Sequence, residues 1–104
     1  MTHDYKPPED CTDMAEVRRG VDATDRELME LLDRRFAYMR AAARIKPARD
    51  SVRDEARKAE VIVNARADAE RRELPGADLA AIWEMLVETS IAYELAVWDR
   101  LRRI

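Results

Sequence analysis

Between Pro8 and Pro47 the chain carries no proline, and its apolar side chains recur at helical spacing. Met14, Val17, Val21, Leu28, Leu31, Leu32, Phe36, Met39 and Ile45 fall at steps of three, four or seven, with one slip. Thr12 or Asp13 supplies an N-cap, and Asp13 and Glu16 place acid at the positive end of the helix. Gly20 is a mild internal cost. Pro47 ends the run, because the residue before a proline avoids the α region. A helix of roughly 33 residues is roughly 50 Å long, whereas a compact domain of about 100 residues has a radius of gyration of about 13 Å. The rest of a 104-residue chain cannot cover such a helix. An apolar stripe of that length calls for a partner, and the simplest is a second copy related by a two-fold axis.

The remaining sequence predicts two more helices in one domain spanning 1–104. Residues 1–11 read as an extended lead-in, since Pro7 and Pro8 disfavour helix. After a polar loop over 48–50, Ser51 with Asp54 resembles a capping box, which predicts a second helix over 52–73. Its apolar positions are small: Ala56, Ala59, Val63 and Ala67. Leu74-Pro75-Gly76 predicts a turn. A third helix is predicted over 78–102, with Leu79, Ile82, Trp83, Leu86, Val87, Ile91, Leu95, Trp98 and Leu101 on its apolar face. The expectation is an all-α fold.

Composition narrows the function. Lys+Arg total 19 against 22 for Asp+Glu, a net charge of −3, without the basic surplus that nucleic-acid phosphates demand. Cys11 stands alone, so no intrachain disulfide forms, and one Cys with one His, His3 in the N-terminal lead-in, offers no metal cluster. This usage predicts a reduced, cytoplasmic protein. No apolar run is long enough for a bilayer, and residues 1–10 lack the apolar core of a signal peptide.

Two polar residues stand where the third helix should be apolar. Along 87, 91, 94, 98 and 101, Glu94 interrupts four apolar side chains, and Ser90 interrupts the adjacent row. Four residues apart, they project from one face in successive turns. Inward polar groups are costly unless something meets them. On the first helix, Arg35 and Lys46 are eleven residues apart, which brings them within about 20° and roughly 16 Å of each other. Their side chains can converge on one small ligand. Arg18 lies seventeen residues before Arg35, about 25 Å away, and cannot share a small site with it on one straight helix; a functional Arg18 would serve the pocket of the other subunit. Structural readings stand beside these. Arg18 and Arg35 can be solvated surface residues, Asp54 a first-turn acid, Ser90 a back-bond to its own helix, and Glu94 a structural ion pair.

Taken together these positions resemble the helical class of chorismate mutase, an all-α intertwined dimer, over about residues 9–101. The stretch Pro8-Glu9-Asp10-Cys11-Thr12, then Met14-Ala15-Glu16-Val17-Arg18, is most similar within that class to the isochorismate-pyruvate lyases of salicylate biosynthesis. Val21-Asp22-Ala23-Thr24-Asp25-Arg26-Glu27-Leu28 and the pair Arg34-Arg35 also fit. The resemblance implies that Arg18 crosses into the partner's pocket and that Arg35 clamps a substrate carboxylate in its own. It implies that Lys46 binds the ether oxygen and a carboxylate, that Asp54 lies near the ring hydroxyl, and that Ser90 lies near the ring carboxylate. Arg57 stands where the class often has arginine, and the resemblance implies that it supports the pocket. Asp54 is found where a lyase of this class carries a small apolar residue. Glu94 stands where many members have glutamine. Lys58 stands where a mutase has a glutamate that accepts the ring hydroxyl, which an ammonium cannot do. Lys58 and Glu94 are expected to be able to pair across the pocket.

Such an enzyme converts chorismate to prephenate in a concerted rearrangement, or splits isochorismate into salicylate and pyruvate. Neither reaction needs a nucleophile, a metal or an organic cofactor. Lys46, Glu94 and Arg35 are the implied catalytic residues; Arg18, Asp54, Lys58 and Ser90 complete substrate binding. Holding the enolpyruvyl arm over the ring and stabilising charge on the ether oxygen supply the rate. Glu94 aids the ether oxygen only when protonated, so activity is expected to fall with rising pH and Glu94→Gln to flatten the profile. Asp54 and Ser90 favour the mutase; the N-terminal stretch favours the lyase. The competing class is a non-catalytic helical dimerisation module, which binds neither compound.

Overall fold

The computed structural model describes residues 5–103; His3 lies outside them. The described residues are helical, with no strand: α1 spans Met14–Ile45, α2 Glu55–Arg71 and α3 Gly76–Leu101. Short 3₁₀ turns cover Pro8–Asp10 and Arg49–Ser51. The chain forms two compact units, residues 1–36 and residues 37–104.

In the first unit α1 begins as the sequence predicts. Asp13 Oδ1 accepts from the Glu16 amide at 2.8 Å, satisfying a donor that the helix itself cannot. Glu16 reaches back to the Thr12 amide at 3.0 Å and the Thr12 hydroxyl at 2.9 Å. The lead-in is not extended throughout. Pro8–Asp10 makes a 3₁₀ turn, with the Cys11 amide donating to Pro8 O. Side chains then strap it to α1: Tyr5 donates to Glu27 Oε1 at 3.0 Å, and Lys6 pairs with buried Glu16. The Tyr5 ring lies over Gly20. A cleft of about 280 Å³ remains beside the strap, between Pro8 and Cys11 on one side and Val17 and Val21 on the other.

In the second unit α2 packs on α3. Asp54, not Ser51, caps α2: its carboxylate accepts from the Arg57 amide at 3.0 Å, while the Ser51 hydroxyl donates to Ala48 O. The helix therefore starts three residues later than the capping-box pattern predicts. Its inward row also differs. Ala56, Ala59 and Val63 are exposed, and Lys58, Val61, Ile62, Ala65 and Ala69 turn toward α3. Both rows are spaced for a helix, and small side chains on each leave the periodicity without a preference.

The α2 helix ends in a Schellman motif, with the Leu74 amide on Ala69 O and the Glu73 amide on Glu70 O. Glu73 takes the left-handed conformation, φ 60°, where glycine is usual. Glycine is used instead at buried Gly76, where a Cβ would stand 2.7 Å from Glu70 Cγ. Thus α3 starts at Gly76, two residues before the predicted start. Ala43, Val52, Ala69, Val87 and Val97 form this unit's buried apolar core. Each fully buried valine contributes on the order of 1.5–3 kcal/mol.

Candidate active site

The inward row of α3 is Val87, Ser90, Glu94 and Val97, all buried. The two polar interruptions seen in the sequence therefore do face the interior. Ser90 Oγ donates to Leu86 O at 2.7 Å, the back-bond available to a helical serine. Glu94 is 4% exposed, and its Oε2 lies 2.8 Å from Lys46 Nζ. The contact is a close ion pair, yet no aligned donor meets that oxygen. A buried carboxylate oxygen in that state is costly, and such atoms concentrate where function rather than stability selects the residue.

Lys46 follows directly after α1. Its amide makes the last helical bond, to Ala42 O at 2.9 Å, before Pro47 closes the helix. Its ammonium also donates to Val52 O at 3.2 Å. Val52 is buried, in a segment fixed to α3 by paired charges. Arg49 forks onto Asp99 at 2.9 and 3.2 Å. Arg53 forks onto Glu88 at 2.8 and 3.1 Å. Glu88 and Asp99 are eleven residues apart and so share one face of α3. The Arg53 fork and Lys58 hold the Glu88 carboxyl down at about 2, against an ordinary 4.5.

Lys58 does not pair with Glu94. Its ammonium reaches Glu84 and Glu88, each at 2.7 Å, and both contacts raise its pKa. Glu94 belongs to the inward row and meets Lys46, whereas Glu84 and Glu88 sit on a neighbouring face within reach of α2. The cross-pocket pair that the sequence allows is thus replaced by separate contacts, Lys46 with Glu94 and Lys58 with both Glu84 and Glu88. Asp54 is engaged as the α2 cap, and Arg57 pairs with Glu60. Arg35 is half-buried and Arg18 exposed, both on α1 within the first unit.

Sequence reasoning missed the residues that hold the end of α1. Trp98 Nε1 donates to Lys46 O at 3.0 Å, and Arg102 Nη2 to the same oxygen at 2.9 Å. Arg102 also bonds Ala43 O at 3.0 Å and lies 4.2 Å from the centre of the Trp98 ring. Arg40 donates to the Tyr93 hydroxyl at 2.8 Å. A signal existed: an arginine one turn after a tryptophan can serve the carbonyls that a proline-terminated helix leaves unpaired.

The arrangement presents a lysine ammonium, held by Val52 O, beside a buried carboxyl group. It can bind an anionic or ether oxygen and needs no group that attacks covalently. Residues 17–95 match the family profile of chorismate mutase type II. The chain is also 28% identical over 97 residues to a Pseudomonas aeruginosa protein named isochorismate pyruvate lyase, covering 93% of this chain and 96% of that one.

Proposed function

We propose that this chain, which belongs to the chorismate mutase type II family, rearranges chorismate to prephenate in a pocket shared between two copies. The buried Lys46–Glu94 pair carries the reading: an ammonium 2.8 Å from a carboxyl oxygen that has no aligned donor.

In the reaction the ether C–O bond breaks while the enolpyruvyl methylene bonds to the ring. No proton moves, so residues act by position and charge. Lys46 donates to the ether oxygen as it gains negative charge. Arg35 from the same chain and Arg18 from the other clamp the carboxylates, for which guanidinium forks are suited. Ser90 faces the ring carboxylate; Asp54 and Lys58 lie toward the ring hydroxyl, with Glu84 and Glu88 beside Lys58 as acceptors.

A second copy is supported by the apolar surface of the first unit. Met14, Val21, Leu28, Met29 and Leu31 are among the exposed apolar side chains of α1. Residues 1–104 then act as one catalytic domain completed by its partner.

The second reading is isochorismate-pyruvate lyase, favoured by the name of the Pseudomonas aeruginosa relative. There the ether bond breaks as a ring hydrogen passes to the methylene carbon. The same cations serve it. Incubation with chorismate and isochorismate separately, assaying prephenate, salicylate and pyruvate, distinguishes the two. Turnover of neither compound rejects both. Mixing Arg18→Ala with Arg35→Ala tests the shared pocket: one intact site forms in a mixed dimer, and activity partly returns. No recovery after proven subunit exchange removes the crossing arginine.

A further inference from the structure

We infer that Trp98 and Arg102 are positioning residues that aim the Lys46 ammonium by holding its main chain, an inference that rests on Lys46 being the cation of the proposed site. Pro47 has no N–H, and the last carbonyls of α1 have no partner within their own helix. Both donors that reach Lys46 O, Trp98 Nε1 at 3.0 Å and Arg102 Nη2 at 2.9 Å, come from the C-terminal end of α3. Arg102 spreads its fork onto Ala43 O as well, and its stacking on Trp98 keeps the two side chains in register. A cation at this end also meets the negative pole of α1.

The same region of α3 therefore holds Lys46 at both ends. Glu94 takes the ammonium and Trp98, one turn further on, takes the carbonyl. A lysine stem is flexible, and its tip is defined only when its root is fixed. An ordinary helix end needs no more than water or one cation. Here two donors of different chemistry converge on the carbonyl of the one residue whose ammonium lies against Glu94. Misplacing a reacting group by about 1 Å costs on the order of a hundredfold in rate.

The test uses the full chain with Arg102→Met, Arg102→Lys and Trp98→Phe, measuring kcat and KM on chorismate and isochorismate. Spectra of protein labelled at the lysine ε-carbon follow Lys46, its signal identified by its loss in Lys46→Arg. Arg102→Met is expected to lower kcat on the order of tenfold or more, with KM changing less, and to shift the Lys46 signal toward that of a mobile lysine. Arg102→Lys restores part of both, and Trp98→Phe, which keeps the ring and loses the N–H, gives a smaller fall. Unchanged kcat and an unchanged Lys46 signal in the folded variants overturn the inference, even where melting temperature drops. If Arg102→Met does not fold, Trp98→Phe and Arg102→Lys decide by the same two readings. If the unsubstituted protein turns over neither compound, the proposed function fails, and the lysine signal alone decides the positioning role.

Discussion

Residues 1–36 and residues 37–104 bury different things. Among the described residues of the first unit, the buried side chains are Ala23 and Glu16, while Met14, Val21, Leu28, Met29 and Leu31 stay exposed. The first unit's lead-in is strapped by polar contacts, Tyr5 to Glu27 and Lys6 to Glu16. The second unit buries Ala43, Val52, Ala69, Val87 and Val97 around α3, and in the same core it encloses Ser90 and Glu94. One region has apolar surface in need of cover; the other has a core that gives up two inward positions to polar groups. In the proposed shared pocket a second copy supplies the first region's cover.

The sharpest way to break this contrast is at Lys46. Lys46→Met should lower kcat by about 10²–10³ in the proposed reaction while circular dichroism stays helical. Wild-type turnover would reduce Lys46 to a structural partner of Glu94. Next is Leu28→Glu, a site 52% exposed in the single chain. If a second copy covers it, burying a charge there should raise the dimer dissociation constant at least about a hundredfold, or about 2.8 kcal/mol. Analytical ultracentrifugation measures this, and an unchanged sedimentation profile breaks the contrast. Glu94→Gln keeps the size of the side chain and offers an amide donor beside Lys46, so its kcat should fall less than that of Lys46→Met; a loss of equal size would make the carboxyl group itself indispensable.

Acid should test one ion pair in each unit more gently. The Glu16 carboxyl is held down at about 2, from 4.5, first by Lys6 and then by Thr12. A lowered carboxyl adds stability above its unfolded value, and that stability is lost as pH falls from about 4.5 toward about 2. Glu16→Gln should therefore melt earlier than the parent at pH 7, with the difference closing below pH 3. Glu88→Gln should show the same window, because Arg53 and Lys58 hold Glu88 at about 2. Parallel melting curves across that range would deny both pairings. The smallest effect is expected at Glu73, whose φ of 60° costs an L-residue strain. Glu73→Gly removes that strain and loosens the unfolded chain, so a gain below about 1 kcal/mol is expected from denaturant titration.

Much of the fold is legible in the residues themselves. Pro47 ends α1, Asp13 starts it, and Leu74-Pro75 falls between α2 and α3, because caps and prolines act locally on the backbone. Ser90 and Glu94 read as inward because a helix face is set by spacing alone. The second helix was less legible. Ser51 and Asp54 both offer capping oxygens, and the chain uses the one whose position leaves Val52 buried. Two rows of small side chains also run along α2, and only packing on α3 chooses between them.

The sequence by itself determined three helices, their proline-set breaks, and the presence of cations and an inward carboxyl group. Tertiary structure decided the partners: Lys46 with Glu94, Lys58 with Glu84 and Glu88, and Trp98 with Arg102 on the carbonyl of Lys46. The reason is range. Caps and periodicity act within a few residues, while a lysine or arginine on a flexible stem pairs with whichever acceptor the packing of distant segments brings within about 3 Å.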